Sequence, residues 1–261
     1  SLDEFKVIFY WEYFHRILAR LIGLFFLIPL IYFYFCKKIK KEYIKICFLI
    51  FFLIIIQGLI GWIMVKSGLT NNITVSHYRL SIHLILAILI ISLMFWLLKN
   101  IKNNKNKAFF KIEMKNIAFQ IFIFLIFLQI LMGAFVSGLD AGRIYQTWPL
   151  MGENLFPNDI VLKNFSALYE FSNHSLVQFY HRNLAYIIVL YSISLAIIIY
   201  KNEFIELYRP IKLLLFIIFT QVILGILTLV SGLNIYLASL HQISSVLLVF
   251  SALNLYYFRA K

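Results

Sequence analysis

Long apolar runs alternate along this chain with short polar segments. Seven such runs stand out: Ile17–Phe35, Tyr43–Val65, Leu80–Leu98, Ile117–Ser137, Asn183–Tyr200, Ile211–Val230 and Tyr236–Phe258. Each can cross a bilayer core of about 30 Å as a helix. Short segments of alternating polarity, the mark of a membrane β-barrel, are not seen. The pattern predicts an all-α fold, a polytopic transmembrane bundle of seven helices. The first, third, fifth and seventh helices are expected to start before their apolar runs, because the polar residues ahead of them can sit in the headgroup layer.

Composition supports this class. Of 261 residues, 62% are hydrophobic and 13% charged, whereas soluble domains carry roughly half apolar and a quarter charged residues. The net charge of +13 does not point to nucleic acid, because the lysines cluster in short loops. The loop "CKKIKKEYIK" has five, and Lys99 to Lys115 has six. With the loop Lys201–Lys212 and the C-terminal Arg259 and Lys261, one side holds sixteen of the twenty-four basic residues. Positive loops stay in the cytoplasm. The C-terminus is therefore expected inside, and the N-terminus and the long loop Gly138–His181 outside. Cys36 and Cys47 flank a cytoplasmic loop and are expected as unpaired thiols. No cleavable signal peptide is visible, and the first residue is Ser.

Part of the chain is written twice. "WEYFHR" at Trp11–Arg16 answers "VQFYHR" at Val177–Arg182, and "QGLIGWIMVKSGL" at Gln57–Leu69 answers "QVILGILTLVSGL" at Gln221–Leu233. His15 pairs with His181, and His83 with His241, in one order and at nearly one offset. This argues for two pseudo-symmetric half-bundles, residues 1–115 and 116–261. The second half has a fourth helix in front, Ile117–Ser137, for which the first has no counterpart, so a further N-terminal helix is expected.

The four repeated histidines are the candidate chemistry, all near the outer helix ends. Imidazole is the commonest transition-metal ligand, and two imidazoles from facing helices suit a haem iron with both axial positions filled. Zinc would want further ligands that no Cys or carboxylate cluster supplies. Arg16 and Arg182 follow their histidines, and Arg79 shares a helix face with His83. Arginine grips carboxylates bidentately, which suits haem propionates; the same residues can also snorkel to lipid headgroups. Arg20, one turn deeper, fits either role. His77 and His174 have no repeat partner and read as exposed loop residues.

The phrases "WEYFHR", "QGLIGWIMVKSGL", "YRLSIHL", "GAFVSGLDAGRIYQTWPLM", "QFYHR" and "LASLHQ" together resemble the haem A synthase family of mitochondria and related bacteria. That resemblance implies eight helices in two four-helix halves. It places the substrate, haem O, in the first half between His15 and His83, with Glu12 as the acidic residue needed for activity. It places haem b in the second half, ligated by His181 and His241. The implied reaction oxidises one ring methyl of haem O to the formyl group of haem A. It implies a bacterial inner-membrane protein surrounded by lipid, with haem O synthase and cytochrome oxidase assembly factors as partners and room for a homo-oligomer. The family's first helix has no counterpart in this sequence, and His77 stands where the family has proline.

Glu12 and Gln178 occupy the same place in the two copies, three residues before a histidine and on its helix face. A Glu there can take a proton or stabilise positive charge during oxidation, and Gln can do neither. The copy with the charge then reads as reactive and the other as an electron carrier. The plainer reading of Glu12 is a helix-start residue favoured by the dipole. A bis-histidine cytochrome that only transfers electrons also explains the four histidines, but not the Glu/Gln asymmetry or the long outer loop.

Overall fold

The computed structural model describes residues 2–68, 75–160 and 165–260. Leu69, the last residue of the first Gln-to-Leu motif, and the chain ends Ser1 and Lys261 lie outside the described residues. Seven long helices account for most of the fold: α1 (Leu2–Phe35), α2 (Lys41–Gly68), α3 (His77–Lys102), α4 (Ile117–Gly138), α5 (His174–Lys201), α6 (Tyr208–Val230) and α7 (Ile235–Arg259). All seven are long and apolar enough to cross a membrane. The described residues hold no strand, only an isolated bridge between Met151 and Asn154. The odd-numbered helices do start before their apolar runs, most of all α1 and α5. His77 and His174 are thereby not loop residues. Each is the first residue of its helix, and His77 is half-buried, its ring edge-on to Phe135 with centroids 5.6 Å apart. Their spacing carried no repeat signal, so only the tertiary contact shows this packing.

The helix ends follow from local chemistry. Asn173 caps α5 by accepting from the Leu176 amide at 3.0 Å, and Asn234 caps α7 by accepting from Tyr236 at 3.0 Å. At the other ends, α1, α3, α5 and α6 each finish in a left-handed residue: Lys37, Asn104, Glu203 and Gly232. Each closes a paired bond set, such as Lys38 N–H to the Phe33 carbonyl at 2.9 Å and Lys37 N–H to Tyr34 at 3.1 Å. This is the Schellman arrangement, and only α6 uses glycine for it.

Packing is uneven. α3 lies against α2 on one side and against α4 and α7 on the other. The largest core cluster joins α4, α5, α6 and α7 with Ile88 and Trp96 of α3, while a small one unites Ile50 of α2 with Ile90 and Leu93. Only 6% of the apolar window of α1 is buried, against 33% for α3 and α5. At the lysine-rich end, a polar knot ties the elements together. Asn100 of α3 donates to the Lys107 carbonyl at 2.9 Å, and the Lys107 ammonium donates to the Tyr257 carbonyl at 2.8 Å and to that of Ala260. Tyr43 of α2 donates to the Lys105 carbonyl at 3.0 Å. A lysine here also complements the negative end of the α7 dipole. Burial beside other cationic groups holds the Lys107 ammonium below its usual pKa. Cys36 and Cys47 are both free thiols.

Candidate haem-binding site

All four repeated histidines fall on odd-numbered helices, near the end opposite the lysine knot: His15 on α1, His83 on α3, His181 on α5 and His241 on α7. His15 and His83 influence one another electrostatically, as do His181 and His241. His83, His181 and His241 are half-buried, whereas His15 is exposed.

Each half-buried histidine rests on the preceding even-numbered helix. Gln57 of α2 donates to the His83 carbonyl at 3.0 Å, Gln129 of α4 to the His181 carbonyl at 3.1 Å, and Gln221 of α6 to the His241 carbonyl at 3.3 Å. The ring Nδ1 atoms of these three histidines are buried without a hydrogen-bond partner. Among the described residues no group of three or more His, Cys, Asp and Glu side chains could hold a metal ion. Two facing imidazoles with no third ligand fit a haem iron and do not fit zinc.

The basic and acidic candidates divide. Arg16 is half-buried and lies 3.9 Å from Glu12, one turn earlier on α1, whose side chain is 57% exposed. Arg79 is exposed on α3, one turn before His83. Arg182 is engaged elsewhere. Its guanidinium donates to the carbonyls of Tyr145 at 2.8 Å, Thr147 at 2.8 Å and Leu150 at 3.2 Å, which leaves Nε, buried without a partner, and one hydrogen of Nη2. A propionate would share this guanidinium with the loop.

Gln178 is likewise a loop-holding residue. It is 2% exposed and donates to the Tyr145 carbonyl at 2.9 Å. Its counterpart Glu12 has no such loop above it among the described residues. Two more contacts fasten the segment. Tyr145 and Ser175 both donate to the Asp159 carboxylate, each at 2.5 Å. Burial alone would raise the Asp159 pKa, but these hydrogen bonds outweigh it and hold the carboxyl below its ordinary range. Sequence reasoning did not find this clasp, because its donors and acceptors lie up to 37 residues apart.

These features define a helical protein with seven helices able to cross a membrane and two sets of repeated histidines, the second beside a clasped loop. The chain matches the cytochrome oxidase assembly protein family, COX15-CtaA, over residues 1–253, and it belongs to that family. It is similar to the heme A synthase of Pelagibacter ubique (strain HTCC1062), with 46% identity over 254 residues, 96% of this chain and 73% of that one. It is 41% identical over 255 residues to the heme A synthase of Wolbachia pipientis subsp. Culex pipiens (strain wPip), 97% of this chain and 75% of that one. The heme A synthase of Rickettsia africae (strain ESF-5) is 38% identical over 255 residues, 95% of this chain and 74% of that one. The resemblance drawn from the six sequence phrases is thus borne out at the level of the family.

Proposed function

We propose that this chain is a haem A synthase, an oxidoreductase that converts a ring methyl of haem O to the formyl group of haem A for cytochrome oxidase assembly. The observation that carries the reading is the match to the cytochrome oxidase assembly family over residues 1–253 and to relatives named heme A synthase at up to 46% identity, in a chain whose His83, His181 and His241 each rest on a Gln and a Gly of the preceding helix. Methyl to formyl takes up one oxygen at the level of water and releases four electrons and four protons, so a substrate site needs both an electron sink that passes electrons on one at a time and a group that takes protons. In this reading His15 and His83 hold haem O, and His181 and His241 hold haem b. Bound haem b supplies one-electron redox chemistry. Arg16 and Arg79, not engaged by loop carbonyls, are placed to bind propionates, with Arg182 contributing through what the loop leaves free.

The chain's own groups then have distinct tasks. Glu12, exposed and 3.9 Å from Arg16, accepts a proton as the methyl carbon loses hydrogen. Gln178 cannot ionise and instead holds the loop over the second pair. The lysine-rich loops support a topology with the C-terminus in the cytoplasm and the histidine end at the outer face of a bacterial inner membrane. Haem O synthase and oxidase assembly factors are the partners this chemistry calls for. The residues 1–115 and 116–261 act as the two half-bundles.

The test is product analysis. Membranes expressing the full chain beside a haem O source are extracted and their haems separated. Haem A is expected. Haem O alone, with the protein present and carrying haem b, overturns the assignment in favour of electron transfer.

A further inference from the structure

Three glycines stand under three histidines. A Cβ added at Gly61 would lie 3.0 Å from His83 Cε1, one at Gly133 would lie 3.1 Å from His181 Cε1, and one at Gly225 would lie 3.1 Å from His241 Cε1. Each glycine is four residues after a glutamine that bonds the same histidine's carbonyl: Gln57, Gln129 and Gln221. Residues four apart share a helix face. One even-numbered helix therefore grips one histidine at two points, backbone and ring edge. The grip recurs three times, on α2, α4 and α6. Gln129 belongs to the same pattern, although α4 has no repeat partner within this sequence.

A histidine that ligates a metal usually donates its other ring nitrogen to a carboxylate or carbonyl, and that bond fixes the ring plane. Among the described residues Nδ1 of His83, His181 and His241 is buried with no hydrogen-bond partner. Of the described side chains, the Gln129 amide lies at a loose 3.4 Å from His181 Nε2. The close approach of each glycine can set the imidazole plane instead, because the space a Cβ would take there is filled by the Cε1 edge, with Nδ1 at 3.6–3.7 Å from that position.

We infer that Gln57 with Gly61, Gln129 with Gly133 and Gln221 with Gly225 are positioning residues that orient the imidazoles of His83, His181 and His241 by steric contact instead of by a hydrogen bond to Nδ1. The inference rests on the reading of these histidines as haem ligands. In that setting both ligands of the second pair, and His83 of the first, are held in plane. His15 faces no glycine of this kind among the described residues, since Gly23 and Gly58 would meet nothing within 4 Å.

The test uses the full chain with histidine labelled with carbon-13 at Cε1, so that each ring reports at the contact itself. It is read first without haem. Gly133→Ala is expected to move the His181 resonance, Gly225→Ala that of His241, and Gly61→Ala that of His83. Gly58→Ala, beside Gln57 but facing open space, is expected to move none. Should an alanine variant fail to fold, Gln129→Leu and Gln221→Leu take its place, and the same one-to-one response is expected. Equal shifts from Gly58→Ala, or no shift from the three cradle glycines, overturn the inference. The second readout is the electron paramagnetic resonance of bound haem. Gly133→Ala and Gly225→Ala should displace the largest g value of the low-spin signal, which depends on ligand-plane angle, while Gly58→Ala leaves it unchanged. A wild-type chain that binds no haem overturns the haem reading alone, and the haem-free resonances still decide the cradle.

Discussion

The two histidine pairs share a sequence pattern but not an environment. Beside His181, a loop is fastened by Gln178, Arg182 and the Asp159 carboxylate, and His181 and His241 are each backed by a glutamine and a glycine. His15 is exposed on a helix with 6% of its apolar window buried, and its neighbour Glu12 is open to its surroundings. Among the described residues the two copies thus keep their histidines in order while the residue one turn earlier differs, an exposed Glu in one and a buried, loop-holding Gln in the other.

Breaking the ligands should give the largest effect. His181→Ala or His241→Ala is expected to abolish the low-spin b-type absorption of the purified protein, because an axial position opens. His15→Ala should leave that absorption intact while ending product formation. Identical loss of the b-type spectrum in all three variants would erase the distinction between the pairs.

Next in size is the carboxylate that only one copy carries. Glu12→Gln keeps length and hydrogen bonding but cannot ionise. Haem A formation is expected to fall by roughly 10²–10⁴, the range for a general acid–base group, with haem b content unchanged. Wild-type rates would show that Glu12 is only a helix-start residue.

The reciprocal change sharpens the contrast. Gln178→Glu sets a carboxylate oxygen against the Tyr145 carbonyl in a place that is 2% exposed. Loss of a buried hydrogen bond costs about 1–3 kcal/mol. Amide hydrogen exchange across residues 141–160 should quicken by about one to two orders of magnitude. Glu12→Gln should leave exchange in the same segment unaltered.

The smallest effect is one of pH. Asp159 has a depressed folded pKa, so its contribution is complete above the ordinary carboxylate value of about 4 and fades as pH falls through the lower folded value. Exchange in residues 141–160 should rise only below about pH 4, and Asp159→Asn should flatten that response. A rise that begins near neutrality would assign the clasp to another group.

Much of this was legible in the sequence. The seven helices are written in apolar runs, and the histidine pairs in a repeat whose markers keep their order. What escaped was long-range. The sequence offered Arg182 as a propionate ligand because it follows a histidine, and could not show that the same guanidinium also holds carbonyls 32 to 37 residues earlier. His77 read as loop because no repeat partner drew attention to its packing on Phe135. The Gln129–Gly133 pair was visible in "QILMGAFVSGL", but only the contact with His181 equates it with the two repeated motifs.

The knot at the lysine-rich end has a meaning for how the chain is made. Lys107 finds its acceptor at Tyr257 only after about 150 further residues have left the ribosome. Until α7 inserts, its ammonium lacks that carbonyl, and Asn100 lacks the hydrogen bond that the Tyr257 hydroxyl donates at 3.2 Å. The link between the middle of the polypeptide and its last helix thus closes late in biogenesis. A nascent product stalled before α7 would present this loop unlatched, with the Lys107 ammonium and Asn100 lacking their partners on the last helix.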